Sequence, residues 1–477
     1  MDIKLVLYMY HFILSFFHPN KLLKNIPACG EIPDAGTLLR RTLKVAWPST
    51  LESFLVALVS VVDTIMVGRL GSSAIASIGL TGQPKFIFLA IFISLNVAVS
   101  ALVARRKGEN DRSSANSILI QALAITGILT IIVTALALFF ADPILRLAGT
   151  NADTHDGSIL YFRIIMGGLV FNVFSMVINA AQRGVGNTKI ALKTNLISNG
   201  VNIVFNYLLI GGNLGFPRLG IAGAAIATVL GSFVALILSA RSIMDSTGFI
   251  YLRYHEKRFS FDKATLSGIV NIGSSTLAEQ IFLRIGFLAY AVIVAHLGTT
   301  AFAAHQIGMN VITISFSFAD GLSIAAVALV GQSLGAKRVD LAKIYGSICQ
   351  RLGFCCSAIL SVFYIFGGKE VFMLFSSEPE ILDYGVIIMR LTALIVFLQI
   401  AQVIFSGCLR GAGDTRYVAM VSLISVTLVR PLCGYLFVYP LQMGLIGAWI
   451  GLVIDQCVRL LLSSARFASG KWCNIKV

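Results

Sequence analysis

The chain has 477 residues, of which 57% are hydrophobic and only 12% are charged. Soluble domains are about a quarter charged, so this composition excludes a soluble protein. The apolar residues fall into runs of about twenty, the length that crosses ~30 Å of hydrocarbon as a helix, and they lack the alternation of a membrane β-barrel. The net charge of +15 comes from short basic clusters between the runs, which anionic lipid explains. We therefore expect a bilayer partner and no nucleic acid.

The first forty residues precede the apolar runs. Leu5 to Phe17 is apolar but too short to span, and it predicts an interfacial helix within a cytoplasmic segment 1–41. A cleaved leader is the alternative. The rest of the chain predicts an all-α polytopic membrane protein with twelve transmembrane helices. Their apolar segments are 45–67, 86–104, 117–140, 159–181, 190–211, 219–240, 271–295, 309–331, 346–367, 385–408, 417–438 and 443–464.

Basic residues are divided unequally between the connections. Seventeen Lys and Arg lie in one alternate set of connections, and five lie in the other. The five are Arg69, Lys85, Arg146, Arg218 and Lys369. By the positive-inside rule the richer side is cytoplasmic. We therefore expect a multi-pass protein of the cell membrane with both termini in the cytoplasm.

The two halves of the chain repeat at a constant offset. RLG at 69–71 matches HLG at 296–298, and ALV at 101–103 matches ALV at 328–330. RGVGNTK at 183–189 matches RGAGDTR at 410–416, and each of the three pairs differs by 227. Each half is therefore the same six-helix unit. Because six is even, the two units are related by an axis along the membrane normal.

The repeat sets the expected domains. We predict six-helix bundles at 42–242 and 271–465, a cytoplasmic linker at 243–270 and a cytoplasmic tail at 466–477. The glycine-rich turns do not fit a phosphate loop, which needs GxxxxGK[ST] between a strand and a helix. We expect them to be tight helix connections at the membrane surface. The eight cysteines include no CxxC pair, so we expect neither a metal site nor a disulfide framework from them.

Carboxylates at membrane depth are costly, and they mark functional sites unless a hydrogen bond makes them structural. Glu52 and Asp63 are eleven residues apart, which places them on one face of the first helix. Glu279 is the repeat mate of Glu52, whereas Tyr290 takes the position of Asp63. This asymmetry predicts a cavity surface formed by Glu52 and Glu279, with a coupling-ion site in the amino-terminal half alone.

The fifth and sixth helices offer oxygen ligands near Asp63. Asn202 and Asn206 lie one turn apart on one face, and Thr228 adds a hydroxyl group. With Asp63 these groups suit a hard cation such as Na⁺, or a hydrogen-bonded proton carrier. Helix packing by the asparagines is the alternative.

Other polar residues within the apolar segments predict less specific roles. Asp320 has no acidic repeat mate, and Asp455 is expected near the cytoplasmic end of its helix in an i,i+4 pair with Arg459. No catalytic set emerges, so we expect no enzyme, and a membrane-embedded enzyme is the weaker alternative. The expected cavity residues besides Glu52 and Glu279 are Gln280, Tyr290, His305, Gln306 and Gln399.

From about residue 42 to 465 the chain resembles the multidrug and toxic compound extrusion (MATE) family. The residues that carry the resemblance are VDTIMVGRLG at 62–71, the duplicated RG turns, AAHQIGMN at 303–310 and ALVGQSLGA at 328–336. The resemblance implies a V-shaped pair of bundles that exports organic cations, drugs or dyes in exchange for Na⁺ or H⁺. It also implies no cofactor besides the coupling ion, and we expect a monomer.

The resemblance assigns roles to individual residues. It places the family's first-helix aspartate at Asp63 and the seventh-helix glutamate of the NorM branch at Glu279. The NorM-like pair on the fifth helix matches Asn202 and Asn206, and the two amides slightly favour Na⁺ over H⁺. NorM-like members carry a tenth-helix aspartate where this chain has Gln399. We therefore expect coupling at Asp63 and a substrate role for Glu279.

A lipid-linked oligosaccharide flippase of the same superfamily is the alternative function. Such a flippase needs a strongly cationic cavity. The main arginines within the helices are Arg163, Arg284 and Arg430.

Overall fold

The computed structural model describes residues 16–23, 27–68, 70–252, 261–376 and 378–475. Most of the predicted interfacial helix, Leu5 to Phe17, lies outside the described residues, as does Arg69. All regular structure in the described ranges is helical. Its spans are α1 (Ala35–Gly68), α2 (Ser72–Gly108), α3 (Arg112–Phe139), α4 (Ala152–Gly167 with Leu169–Gly184), α5 (Thr188–Gly211), α6 (Gly220–Ser242), α7 (Lys263–Ala295), α8 (Thr299–Gly335), α9 (Val339–Met373), α10 (Pro379–Gly411), α11 (Thr415–Ser422, Leu423–Val429 and Arg430–Val438) and α12 (Gly444–Ala468).

These segments confirm the prediction of an all-α protein with twelve spans. Among the described helices, ten are long and apolar enough to cross a membrane, and the bent pair that forms α4 is an eleventh. The remaining span, α5, has 24 residues and is therefore ~36 Å long. Its asparagines lower its mean hydropathy, and two of them belong to the site described below.

Several helices begin well outside their apolar segments. The helix α1 begins at Ala35, because the carboxylate of Asp34 caps it by accepting from the Thr37 N–H at 3.0 Å. The helix α2 continues through Pro84, and the assignment of Lys85 to a connection is therefore wrong. Lys85 lies within a membrane-spanning helix.

The backbone repeats with the same offset as the sequence. Three left-handed residues that join helices in the first half have a left-handed mate in the second half, and both members of each pair have nearly the same φ. The pairs are Gly71 and Gly298 (φ 103° and 102°), Asn110 and Lys337 (both 57°), and Gly186 and Gly413 (85° and 86°). Each pair differs by 227, so the two six-helix units share the geometry of the turns that follow their first, second and fourth helices.

Close helix packing repeats as well. A Cβ added to Gly184 would lie 2.7 Å from the Ser100 carbonyl oxygen, and one added to Gly411 would lie 2.6 Å from the Val327 carbonyl oxygen. Ser100 and Val327 are themselves repeat mates. The glycine of each RG turn therefore lets the fourth helix of its half approach the backbone of the second helix.

The chain divides into two compact units, which we call the N unit (residues 51–277) and the C unit (residues 1–50 and 278–477). These boundaries differ from the predicted bundles at 42–242 and 271–465. The beginning of α1 belongs to the C unit, whose core includes Leu38, Val45 and Ala46. The chain passes from the C unit to the N unit after Thr50 and returns to the C unit after Leu277. These two positions are also 227 residues apart.

The terminal segments pack within the C unit. Leu22 is buried in its core, the Cys29 N–H donates to Asp340 at 3.1 Å, and the Arg338 guanidinium donates to the Glu31 carbonyl at 2.8 Å. At the other end, Trp472 stacks on a phenylalanine of α12 at 5.1 Å. The described parts of segment 1–41 and of the tail are thus built into this unit.

The predicted linker is attached to the N unit. The Arg112 guanidinium donates to the carbonyls of Ser246 and Phe249, both at 3.0 Å. The Tyr251 N–H donates to the Asn116 side chain at 2.7 Å. These bonds fasten the described part of the linker to α3, while residues 253–260 lie outside the described ranges.

Two spans are irregular. The halves of α4 meet at Gly168 with a bend of 47°, where an added Cβ would lie 2.5 Å from Val229 of α6. In α11 a π-helical segment, Leu423–Val429, precedes Arg430 and Pro431. A proline inside a helix removes one N–H and crowds the carbonyl four residues earlier, which favours such a wide turn.

The π segment adds one residue to the repeat. The residue before α6 donates to the Leu209 carbonyl at 2.8 Å, and the residue before α12 makes the same bond to the Phe437 carbonyl at 3.0 Å. Leu209 and Phe437 differ by 228 rather than 227. Beyond the π segment, Arg430 therefore corresponds to Asn202, and Gly434 corresponds to Asn206.

Candidate functional site

The N unit brings together the four residues that the sequence predicted as one group. Asn206 Nδ2 donates to Asp63 Oδ1 at 2.8 Å and to Asn202 Oδ1 at 3.2 Å. Asn202 Nδ2 donates to Thr228 Oγ1 at 3.2 Å, and Thr228 donates to the Ala224 carbonyl at 3.0 Å. Helices α1, α5 and α6 are thus joined by one chain of hydrogen bonds that ends on the Asp63 carboxyl group.

The Asn202 amide also lies beside Asp63 and fits in either of two orientations. When the amide is turned over, its nitrogen donates to Asp63 Oδ1 at 2.8 Å and its oxygen accepts from the Thr228 backbone N–H at 3.2 Å. In both orientations the Asn202 amide lies against Asp63 and Thr228.

The carboxyl group of Asp63 faces a cavity of about 270 Å³ in the N unit. Besides Asp63, Asn206 and Thr228, the cavity is lined by Tyr161 of α4 and Lys85 of α2. Both Asp63 and Lys85 are half-buried. Sequence reasoning missed Tyr161 and Lys85 as cavity residues. The signal available for Lys85 was that it is the one charged residue in the stretch from 70 to 104.

A second contact joins α1 to α5, three helical turns from Asp63. The Glu52 carboxylate accepts from Asn195 Nδ2 at 2.5 Å and from the Arg183 guanidinium. Asn195 and Asn206 are eleven residues apart, as are Glu52 and Asp63, so both carboxyl groups of α1 face the same helix. This confirms that they share one face.

The C unit contains the repeat-related arrangement. Glu279 accepts from the Arg410 guanidinium at 2.5 Å and from Ser422 Oγ at 3.4 Å. Each glutamate is 3% exposed, while the arginine side chains are 25% exposed at Arg183 and 21% at Arg410. The three interacting residues of the C unit are each 227 residues from their mates in the N unit, which are Glu52, Arg183 and Asn195. The RG turn of each unit is therefore pinned to the first helix of its own half.

These ion pairs differ from two sequence-based expectations. Glu52 and Glu279 were expected on a cavity surface, but each is buried against an arginine of its own unit. Arg183 and Arg410 were expected at the membrane surface, but each turns inward to a carboxylate. A buried carboxylate needs a charged or hydrogen-bonding partner. One sequence feature could have predicted these pairs: the glutamate and the arginine are 131 residues apart in both halves.

Tyr290 and His305 are packed in the C unit rather than placed on a cavity wall. Tyr290 is 2% exposed, and its hydroxyl donates to the Ala448 carbonyl at 2.8 Å. The His305 ring lies 5.5 Å from the Tyr290 ring and 5.8 Å from the Trp449 ring. The small Gly434 leaves room for Tyr290, since an added Cβ would lie 3.3 Å from its ring.

Asp455 lies in the middle of α12 rather than near its end. The expected i,i+4 bond to Arg459 is present at 3.3 Å. Its shorter bonds come from Arg430 of α11, at 2.5 and 3.0 Å. Arg430 and Asp455 are both almost fully buried, so the main partner of each is one that helix periodicity could not predict.

The remaining candidate residues occupy different environments. Gln280 is half-buried, Gln306 is exposed, and Gln399 is 6% exposed. The Gln399 Oε1 atom has no hydrogen-bond partner among the described residues. Their roles in substrate binding stay predictions.

A comparison with known families decides the classification. The family model described as MatE matches residues 48–208 and 276–436. The chain belongs to the MATE family. The two matched ranges fall in the two repeats, so each six-helix half carries the MATE family pattern separately.

Curated relatives match nearly the whole chain. A probable multidrug resistance protein NorM of Thermotoga maritima is 27% identical over 464 residues, which is 94% of this chain and 96% of the relative. A multidrug resistance protein MdtK of Edwardsiella ictaluri is 26% identical over 90% of this chain and 94% of the relative. An uncharacterized transporter YisQ of Bacillus subtilis is 24% identical over 90% of this chain.

Solved MATE structures share the fold. A MATE transporter in the straight conformation has a TM-score of 0.85 at 22% identity, over 91% of this chain and 97% of that structure. An outward-facing multidrug resistance MATE transporter of the MOP superfamily also gives 0.85 at 22% identity, over 93% of this chain and 100% of that structure. The prediction of two six-helix repeats in the MATE fold is confirmed.

Proposed function

We propose that this protein is a secondary active antiporter that exports organic drugs or toxic compounds, and that Asp63 carries the coupling ion. The relatives named as multidrug resistance proteins support the substrate class. The observation that carries the site is the chain of hydrogen bonds that runs from Thr228 through Asn202 and Asn206 to the Asp63 carboxyl group, which faces a cavity of about 270 Å³. A carboxyl group at membrane depth that faces a cavity is a candidate ion carrier.

A proton needs only one carboxyl group, and Asp63 supplies it. Asn206 donates to Asp63 Oδ1 at 2.8 Å, and a carboxyl oxygen can still accept this bond when the group is protonated. A neutral carboxyl group also suits a half-buried position in a membrane helix.

Sodium is the alternative ion, which the amides slightly favoured at the level of sequence. A hard cation takes about six oxygen ligands. Asp63, Asn202 and Thr228 offer oxygens to such an ion, whereas Asn206 turns its nitrogen toward Asp63. This set fits Na⁺ only in part, and we therefore propose H⁺ as the coupling ion.

We further propose organic, mostly cationic and amphipathic substrates. Ionised Asp63 supplies the negative charge for such compounds in a cavity that also has an aromatic wall at Tyr161. The seventeen basic residues on one side of the helices support an orientation in the cell membrane with both termini in the cytoplasm. A flippase gains no support from Arg430, because Asp455 neutralises it in a buried pair.

The test is dye efflux from proteoliposomes under a pH gradient alone, a Na⁺ gradient alone and both together. We expect the pH gradient to drive efflux and Asp63→Asn to abolish it, with normal insertion. Asp153→Asn, which removes an exposed carboxylate at the start of α4, is the matched control and should retain full efflux.

Three outcomes would overturn parts of this proposal. Full efflux by a well-inserted Asp63→Asn protein would remove Asp63 from the coupling site. Drive by Na⁺ alone, lost in Asn206→Ala, would replace H⁺ by Na⁺. A dye recovered in chemically altered form would favour an enzyme over a transporter.

A further inference from the structure

Lys85 is an ionisable residue inside a membrane-spanning helix, and the proposed coupling scheme leaves it without a role. It lies thirteen residues after the start of α2, whose 37 residues run from Ser72 to Gly108. That distance is ~20 Å along the helix axis, beyond the depth of the headgroup region for a helix that crosses a bilayer of ~30 Å. A lysine at such a depth faces a cavity or a charged partner.

The geometry supplies both a cavity and a partner. Lys85 and Asp63 line the same cavity of about 270 Å³, and their charges act on each other across it. They are not a direct ion pair: among the described residues, no carboxylate lies within 4 Å of the Lys85 ammonium. Tyr161 is the other titratable side chain on the described cavity wall.

The repeat gives an independent observation. The position of Asp63 is taken by Tyr290 in the C unit, and the position of Lys85 is taken by Ile312. The matched turns at Gly71 and Gly298, and at Asn110 and Lys337, fix the 227-residue register on both sides of Lys85. The two charges are therefore present together in one repeat and replaced together in the other. If the Lys85 ammonium only contacted lipid headgroups, this lysine would not need to occur in the same repeat as Asp63.

We propose that Lys85 is a tethered counter-ion for Asp63. This inference rests on the proposed function. When Asp63 has lost its coupling ion, the ammonium balances the carboxylate and the cavity carries no net charge. When Asp63 takes up a proton, the cavity carries one positive charge, which repels a cationic substrate. Lys85 thus makes binding of the proton and binding of an organic cation mutually unfavourable, as exchange of the two requires.

The counter-ion also competes with the coupling ion. Two unit charges a few ångströms beyond contact, at an effective dielectric constant of ~20, interact strongly enough to change ion affinity by about tenfold or more. Removing the ammonium should therefore tighten proton binding at Asp63. The change is measurable as a shift of the pH at which transport is half-maximal.

The experiment compares Lys85→Gln, Lys85→Arg and a control in proteoliposomes. We expect Lys85→Gln to raise the pH of half-maximal dye efflux by about one unit or more and Lys85→Arg to leave it near the wild-type value. The control is Lys369→Gln, which removes one exposed positive charge near the end of α9 and should not shift the profile. A Lys85→Gln profile that matches wild type would overturn the counter-ion role.

A second measurement uses the unaltered Lys85 and stays informative if its variants fold poorly. Amines react with formaldehyde and borohydride in the uncharged form, and an ionised Asp63 holds Lys85 in its charged form. Methylation of Lys85, followed by mass spectrometry, should therefore be several-fold faster in Asp63→Asn than in wild type, with Lys369 unchanged. Equal rates at Lys85 would contradict the inference.

The outcomes separate this inference from the function on which it rests. If wild-type efflux needs neither an ion gradient nor Asp63, the antiporter proposal itself fails. If efflux needs both, but the pH profile or the methylation rate does not respond as expected, only the role of Lys85 is refuted.

Discussion

The duplicated glutamate–arginine pairs make a quantitative prediction about stability. In the C unit, Glu279 is 3% exposed and lies 2.5 Å from Arg410, whose side chain is 21% exposed. Removing one partner of a fully buried pair costs about 3–5 kcal/mol, and an exposed pair is worth about 0.2–1 kcal/mol. Since one partner is buried and the other partly solvated, we expect Glu279→Gln or Arg410→Gln to cost about 2 kcal/mol.

The double variant distinguishes a direct pair from two independent effects. If the charges act mainly on each other, Glu279→Gln with Arg410→Gln should cost little more than either change alone. The coupling free energy is then about 1–2 kcal/mol. The assay is the fraction of detergent-solubilised protein that remains monodisperse after heating, measured for wild type, both single variants and the double variant. Dye efflux of the same four proteins is recorded in parallel.

The N unit supplies the matched comparison. Glu52 and Arg183 occupy the repeat-related positions, with Asn195 in place of Ser422 as the third partner, so their cycle should give a coupling of similar size. Additive effects in both cycles would refute the argument that these pairs pin the RG turns. Unchanged stability in Glu279→Gln, with selective loss of cationic substrates, would instead restore Glu279 as a substrate residue.

Two further predictions test packing and capping. Gly411→Ala should lower stability by about 1–3 kcal/mol because its Cβ would lie 2.6 Å from a carbonyl oxygen; Gly200→Ala, whose Cβ would meet nothing within 4 Å, should be neutral or stabilising, and equal melting would contradict this. Hydrogen bonds from Ser114 lower the pKa of Asp111, the N-cap of α3. Ionised Asp111 therefore stabilises the fold above the unfolded-state pKa, and this stabilisation is lost as the pH falls through the lowered folded-state value. The thermal stability of Asp111→Asn should consequently change less than that of wild type on acidification below about pH 4, and parallel profiles would exclude the cap.

The features that sequence reasoning predicted correctly depend on helix periodicity and on the repeat. The eleven-residue spacing of Glu52 and Asp63 fixed their common face, and the one-turn spacing of Asn202 and Asn206 fixed theirs. Because α1 and α5 meet along these faces, the group around Asp63 is assembled as the spacing indicates. The twelve spans follow in the same way from apolar runs of sufficient length.

The features that it missed depend on contacts between helices that are distant in the chain. Arg183 read as a surface residue because it ends a helix, yet it reaches the buried Glu52. Arg430 and Asp455 pair across two helices, which no periodicity within either helix reveals. Lys85 was misplaced for a local reason: it directly precedes the apolar segment 86–104, although α2 begins at Ser72 and continues through it.

The π segment of α11 has a consequence for engineering across the two halves. A helical residue occupies about 100° of the axis, so one inserted residue rotates everything beyond it by that angle. A constant shift of 227 would place Asn202 at Val429 and Asn206 at Cys433. The backbone instead makes Arg430 the equivalent of Asn202 and Gly434 the equivalent of Asn206. A chimera built with the constant shift would aim its new amides away from Tyr290. A working graft of the Asp63 site into the C unit must therefore count one residue further after Val429.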